Sequence, residues 1–136
     1  MKRVIGSIVV VFGLFVNSCS SGNAEGYKNI SVASADSLIK ADTNVVVLDV
    51  RTSDEFSSET GHLKNAKLIP VQELEGRIEE LSSYKDRTIV AYCRSGSRSA
   101  KAAYILSKKG FQIVNVEGGI AAWNDSGLPT EKGIAQ

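Results

Sequence analysis

Thr88-Ile89-Val90-Ala91-Tyr92-Cys93-Arg94-Ser95-Gly96-Ser97-Arg98-Ser99 is the stretch that decides how this chain folds. Its first five residues form a continuous, β-branched-rich apolar run, the pattern of a strand buried on both faces. A helix is predicted over 97–109, closed by Lys108, Lys109 and Gly110, because cations and a glycine suit a helix C-terminus. Two more apolar runs of the same kind lie at 45–49 (VVVLD) and 111–116 (FQIVNV). Helical patterns fall between and around the strands. One is predicted over 34–40. A second covers 71–81, just after Pro70, with Leu74, Ile78 and Leu81 at i, i+4 and i+7. A short last helix carries Ile120 and Trp123 and stops near Gly127 and Pro129. Strands alternating with helices predict an α/β domain, a small parallel sheet flanked by helices on both faces.

Composition bounds the rest. At 136 residues, 43% hydrophobic and 23% charged, the chain suits one compact domain and has no room for two. Sixteen basic and fifteen acidic side chains give a net charge of +1, and without Lys2 and Arg3 the balance becomes −1. That balance offers no electrostatic case for nucleic acid as a partner.

Lys2 and Arg3 precede an apolar run over 4–16, broken only by Gly6, Ser7 and Gly13. This is a basic segment plus a hydrophobic segment of signal-peptide length, shorter than the ~20 residues of a transmembrane helix. Val16-Asn17-Ser18-Cys19 follows, then a polar stretch. The pattern resembles a bacterial lipoprotein signal, with Cys19 as the lipidated first residue of the mature chain. Plain secretion and an uncleaved anchor are the alternatives. The expected organisation is a signal peptide over 1–18, the lipid-bearing Cys19 and a linker over 19–26, and the domain over 27–136. The lipid would tether the protein to a membrane on the periplasmic side of the cell envelope.

If Cys19 carries lipid, Cys93 is the one free thiol of the chain's two cysteines. A lone cysteine is commonly a buried, inert one, but the surroundings of Cys93 favour reactivity. It sits where a buried strand turns into a helix, at the sheet edge where α/β folds bind ligands. A tight loop around Gly96 can turn several N–H groups inward as an anion nest, and the helix start adds its own. Arg94 and Arg98 add positive charge, and Ser95, Ser97 and Ser99 can donate hydrogen bonds. All of these favour a thiolate over a thiol, which free in water is only about 3% ionised at pH 7. Cys93 is thus the predicted catalytic residue, with Arg94, Ser95, Gly96, Ser97 and Arg98 as the substrate-binding loop.

With that loop in hand, residues 27–130 resemble a single-domain rhodanese. Leu48-Asp49-Val50-Arg51, Glu55-Phe56, Gly61-His62-Leu63-Lys64-Asn65-Ala66, Ile69-Pro70, the Cys93–Arg98 loop, and Glu117-Gly118-Gly119-Ile120 with Trp123 follow the family's order. Asn65 departs from it, standing where the family usually has glycine. The loop counts six residues from Cys93 to Arg98. This length resembles the superfamily's sulfurtransferases, whereas its phosphatases and arsenate reductases have one residue more.

The resemblance implies a two-step transfer. Thiolate Cys93 would take the outer sulfur of a small anionic donor, thiosulfate or a polysulfide, and hold it as a persulfide. A thiol, including one carried on a protein, or cyanide would then remove it. This chemistry needs no cofactor and no metal. A low-turnover persulfide carrier for a partner protein is the alternative, and a phosphatase or arsenate reductase a further one. Asp49 and Arg51 read as an ion pair that fixes the loops around the site. His62, the only histidine, could suggest a Cys–His peptidase, but the resemblance makes it structural. Trp123 reads as core, and Glu79-Glu80 and Lys108-Lys109 as solvated helix ends.

Overall fold

The structure is a computed structural model and describes residues 26–135. The predicted signal peptide, Cys19 and most of the linker lie outside the described residues. Five strands form one parallel sheet in the order β1-β5-β4-β2-β3. They are β1 (Lys28–Ile30), β2 (Val46–Asp49), β3 (Lys67–Leu68), β4 (Thr88–Tyr92) and β5 (Gln112–Val116). The α-helices are α1 (Val32–Ala41), α2 (Ser53–Phe56), α3 (Ser97–Lys108) and α4 (Gly119–Asp125).

The central strands are buried on both faces, and their side chains alternate between two cores, as period-two geometry requires. On one face Val46, Leu48, Val50, Ile89, Ala91, Cys93 and Ile113 pack under Leu74, Leu81, Ala102, Ala103 and Leu106. On the other, Val47, Val90, Tyr92 and Val116 meet Ala35, Ile120 and Trp123. Helices therefore cover both faces, as the strand and helix alternation predicts. Trp123 is buried in the second core and donates its indole N–H to the Pro129 carbonyl at 3.0 Å.

One prediction needs correction. The segment at 71–81 is not an α-helix: residues 71–74 are a turn, and a 3-10 helix runs over Glu75–Tyr84. The apolar series explains why. Ile78, Leu81 and Tyr84, all packed on the first core, recur every three residues, the repeat of a 3-10 helix. Leu74 belongs to the turn before them. Arg77 also pairs with Glu80 three residues on, at 2.6 Å.

Three elements have no counterpart in the prediction. β1 and β3 are edge strands of three and two residues without an apolar run. α2 is four residues long but carries a capping box visible in the sequence, Thr52-Ser53-Asp54-Glu55.

β2 leads outward to β3, whereas β4 leads the other way to β5. The reversal leaves a crevice at the carboxyl ends of β2 and β4, the ligand position of open α/β sheets. Asp49 and Tyr92 stand paired in register at that crevice, and Cys93 follows directly.

Candidate active site

The Cys93 sulfur is fully buried at the base of the loop. The Gly96 N–H donates to it at 3.1 Å. The Ser99 hydroxyl lies 3.4 Å from the sulfur and 3.2 Å from the Gly96 carbonyl, and its single hydrogen serves one of them at a time. Burial is the largest single influence on the thiol and pushes its pKa up. Against it act the Ser99 hydroxyl and the backbone N–H groups of Ser99, Gly96 and Ser95, and together they hold the pKa below the ordinary cysteine value. The loop is thus an N–H cradle around sulfur, shaped by local backbone. Gly96 adopts the left-handed conformation at φ 102°. Its carbonyl turns away from the sulfur, accepting from the Ala100 N–H and from the Asn115 side chain at 3.2 Å.

Two further carbonyls of the loop are held from outside by α4. The Ile120 N–H donates to the Cys93 carbonyl at 2.9 Å and the Ala121 N–H to the Arg94 carbonyl at 3.1 Å. This contact depends on Gly118-Gly119. A Cβ on Gly119 would stand 2.6 Å from the Arg94 carbonyl oxygen and closer still to that of Cys93.

Behind the loop lies a buried polar network. Arg51, 1% exposed, donates to Asp49 through Nη2 at 2.6 Å and Nε at 3.0 Å. Its remaining donors reach the Glu55 carbonyl, Thr60 Oγ1 and the Gly61 carbonyl. The Tyr92 hydroxyl donates to Asp49 at 2.7 Å and accepts from the Leu63 N–H. Burial first, then the neighbouring Asp49 carboxylate, pushes the Tyr92 phenol far up, so it stays a donor. The network ties the residue before Cys93 to the loop at 55–63.

The structure places the other predicted residues in three settings. Arg94, Ser95 and Ser97 are exposed on the loop's outer side, and Arg94 has no ion pair among the described residues. Arg98 forms a two-pronged ion pair with Glu55, at 2.7 and 2.8 Å. His62 stands apart from the loop, stacked on Phe56 with ring centroids 3.8 Å apart. Its backbone forms a bridge to Glu131 of the C-terminal strap. Sequence reasoning missed Glu55 and Asn115 as partners of the loop. The capping box marks Glu55 as ordered, but no short-range signal points it at Arg98. Among the described residues no cluster of His, Cys, Asp or Glu is set to hold a metal.

Fold and loop define the class: a parallel α/β domain that holds a cysteine sulfur in a ring of N–H donors at the sheet's carboxyl edge. Residues 31–126 match the Rhodanese-like domain family, and the chain belongs to it. A sulfurtransferase of Allochromatium vinosum is 40% identical over 91 residues, which is 65% of this chain and 81% of that protein. A rhodanese-related protein of Thermoplasma volcanium superposes with a TM-score of 0.68 at 38% identity, over 76% of this chain and 96% of its own. The polysulfide-sulfur transferase homodimer of Wolinella succinogenes gives a TM-score of 0.68 at 28% identity, over 79% and 80% of the two chains. Sulfur transfer is the general chemistry that this membership supports.

Proposed function

We propose that this protein moves sulfane sulfur from thiosulfate or a polysulfide, through a persulfide on Cys93, to a thiol or cyanide. The observation that carries the reading is the buried Cys93 sulfur inside a ring of N–H donors that lowers its pKa. In the first step the thiolate attacks the outer sulfur of thiosulfate. The new S–S bond forms as the old one breaks, and sulfite leaves with its electron pair. The enzyme keeps one sulfur as a persulfide anion, with the thiolate's negative charge moved one atom outward. The N–H groups of the loop and the Ser99 hydroxyl stabilise that charge without reorganising. In the second step the acceptor attacks the outer sulfur, the Cys93 thiolate departs, and thiocyanate or a new persulfide is released.

The test is thiosulfate:cyanide transfer by the purified chain across pH. The rate should rise with pH as Cys93 ionises, with its midpoint below that of an ordinary thiol, and Cys93→Ser should show none of it. The sign follows from the lowered pKa: the reactive form persists to lower pH than in an unstructured peptide. Turnover that survives in Cys93→Ser would refute the assignment. So would the lack of any Cys93-dependent transfer from thiosulfate or polysulfides.

A further inference from the structure

Glu55 belongs to α2, yet its carboxylate is the partner of the loop's last residue. Arg98 Nη1 and Nη2 lie 2.7 and 2.8 Å from its two oxygens. The two-pronged geometry is the strong form of this pair. Both side chains are 30% exposed, so the pair stands at the rim of the site. Arg98's hydrogen bond, opposed by burial and supported by Thr52, lowers the Glu55 carboxyl to about 2. Glu55 is therefore charged at any physiological pH. Arg98 in turn senses the charge of Cys93. To an approaching anion, then, Arg98 does not present a free positive charge. It presents one half of a neutral pair, whose field falls off faster than that of a lone ion. Among the described residues, the unopposed cation of the loop is the exposed Arg94.

Charge arithmetic gives this arrangement a consequence for the donor. Coulomb energy scales with the charge on the ligand, so neutralising Arg98 costs a dianion twice what it costs a monoanion. Thiosulfate carries two charges, whereas a hydropolysulfide or a small-molecule persulfide carries one. Resting on the sulfur-transfer reading of Cys93, we propose that Glu55 sets donor choice at this site. By holding Arg98 neutralised it favours singly charged sulfane-sulfur anions over doubly charged ones. Glu55 acts through Arg98 and is a positioning residue.

Glu55→Gln separates charge from fold, because glutamine serves a capping box as glutamate does. The measurement is protection of Cys93 from iodoacetamide by inert anions at constant ionic strength, with sulfate as the dianion and nitrate as the monoanion. In Glu55→Gln the half-protecting sulfate concentration should fall about fivefold and that of nitrate about twofold, its square root. In the Arg98→Gln background the same change removes a lone carboxylate, so the double variant, neutral again at this place, should bind both anions within about twofold of the unsubstituted chain. Arg98→Gln alone, which leaves Glu55 unopposed, should weaken sulfate more than nitrate. Equal shifts for the two anions, a double variant as weak for sulfate as Arg98→Gln alone, or no protection by either anion would overturn the proposal. Protection reads anion binding without turnover. A chain that binds sulfate selectively but transfers no sulfur would sink the function and leave the role of Glu55 measurable.

Discussion

Asp49→Ala should lower the folding stability of this domain by roughly 3–5 kcal/mol. The reason is what remains behind. Arg51 is buried, and among the described residues its charge is balanced by Asp49 alone. Its other partners, two backbone carbonyls and the Thr60 hydroxyl, are neutral. Removing Asp49 leaves a buried guanidinium without its counter-charge and takes away the acceptor of the Tyr92 hydroxyl as well. Ordinary domains hold only about 5–15 kcal/mol in total, so the loss is a large fraction of the whole. Urea unfolding should show it as a lower midpoint, and the melting temperature should fall by more than about 10 °C. A change below about 1 kcal/mol would mean that water or local rearrangement solvates Arg51. Asp49→Asn should fall between the extremes, because it keeps the shape and one acceptor but not the charge.

Gly119→Ala should reduce sulfur transfer about a hundredfold, the scale seen when a preorganised donor set is displaced by roughly an ångström. Gly119 sits at φ 55°, and its missing side chain is the space occupied by the Cys93 and Arg94 carbonyls. Those are backbone atoms and cannot rotate away. The added methyl must push α4 off the loop, which loosens the hydrogen bonds from Ile120 and Ala121. The carbonyls they hold are then free to turn, and the N–H groups that face the sulfur turn with them. The pH midpoint for Cys93 alkylation should accordingly rise toward that of a free thiol. That shift separates a distorted cradle from simple loss of folded protein. Gly76→Ala is the control, since nothing lies within 4 Å of its added Cβ and its φ is ordinary. Full activity in Gly119→Ala would show that α4 does not set the loop.

The central sheet and the cysteine loop were legible in the sequence for a physical reason. Strands buried on both faces must be continuously apolar, and TIVAY running into Cys93 admits little else. The edge strands β1 and β3 are held by backbone pairing, which leaves no side-chain pattern to read. At 71–81 the spacing of Leu74, Ile78 and Leu81 mimics an α-helix, and only Tyr84 reveals the three-residue repeat. Asn65 makes sense only with the backbone in view. Its φ of 59° is the left-handed region, which asparagine tolerates better than most residues other than glycine. Arg98 shows the remaining limit. Composition marks it as a cation on an anion-binding loop, but its neutraliser lies 43 positions earlier, brought there by α2 and the Arg51 network. Charge at a site is set by tertiary pairing, which local motifs do not encode.

The most direct test of the account is the intact mass of the protein after exposure to polysulfide and removal of small molecules. The mass should rise by one sulfur atom, located on Cys93 by fragmentation, lost on adding cyanide or a thiol, and absent in Cys93→Ser. An unchanged mass under conditions where Cys93 still reacts with iodoacetamide would contradict it, because a reactive thiolate would then be present and sulfur would not be what it carries.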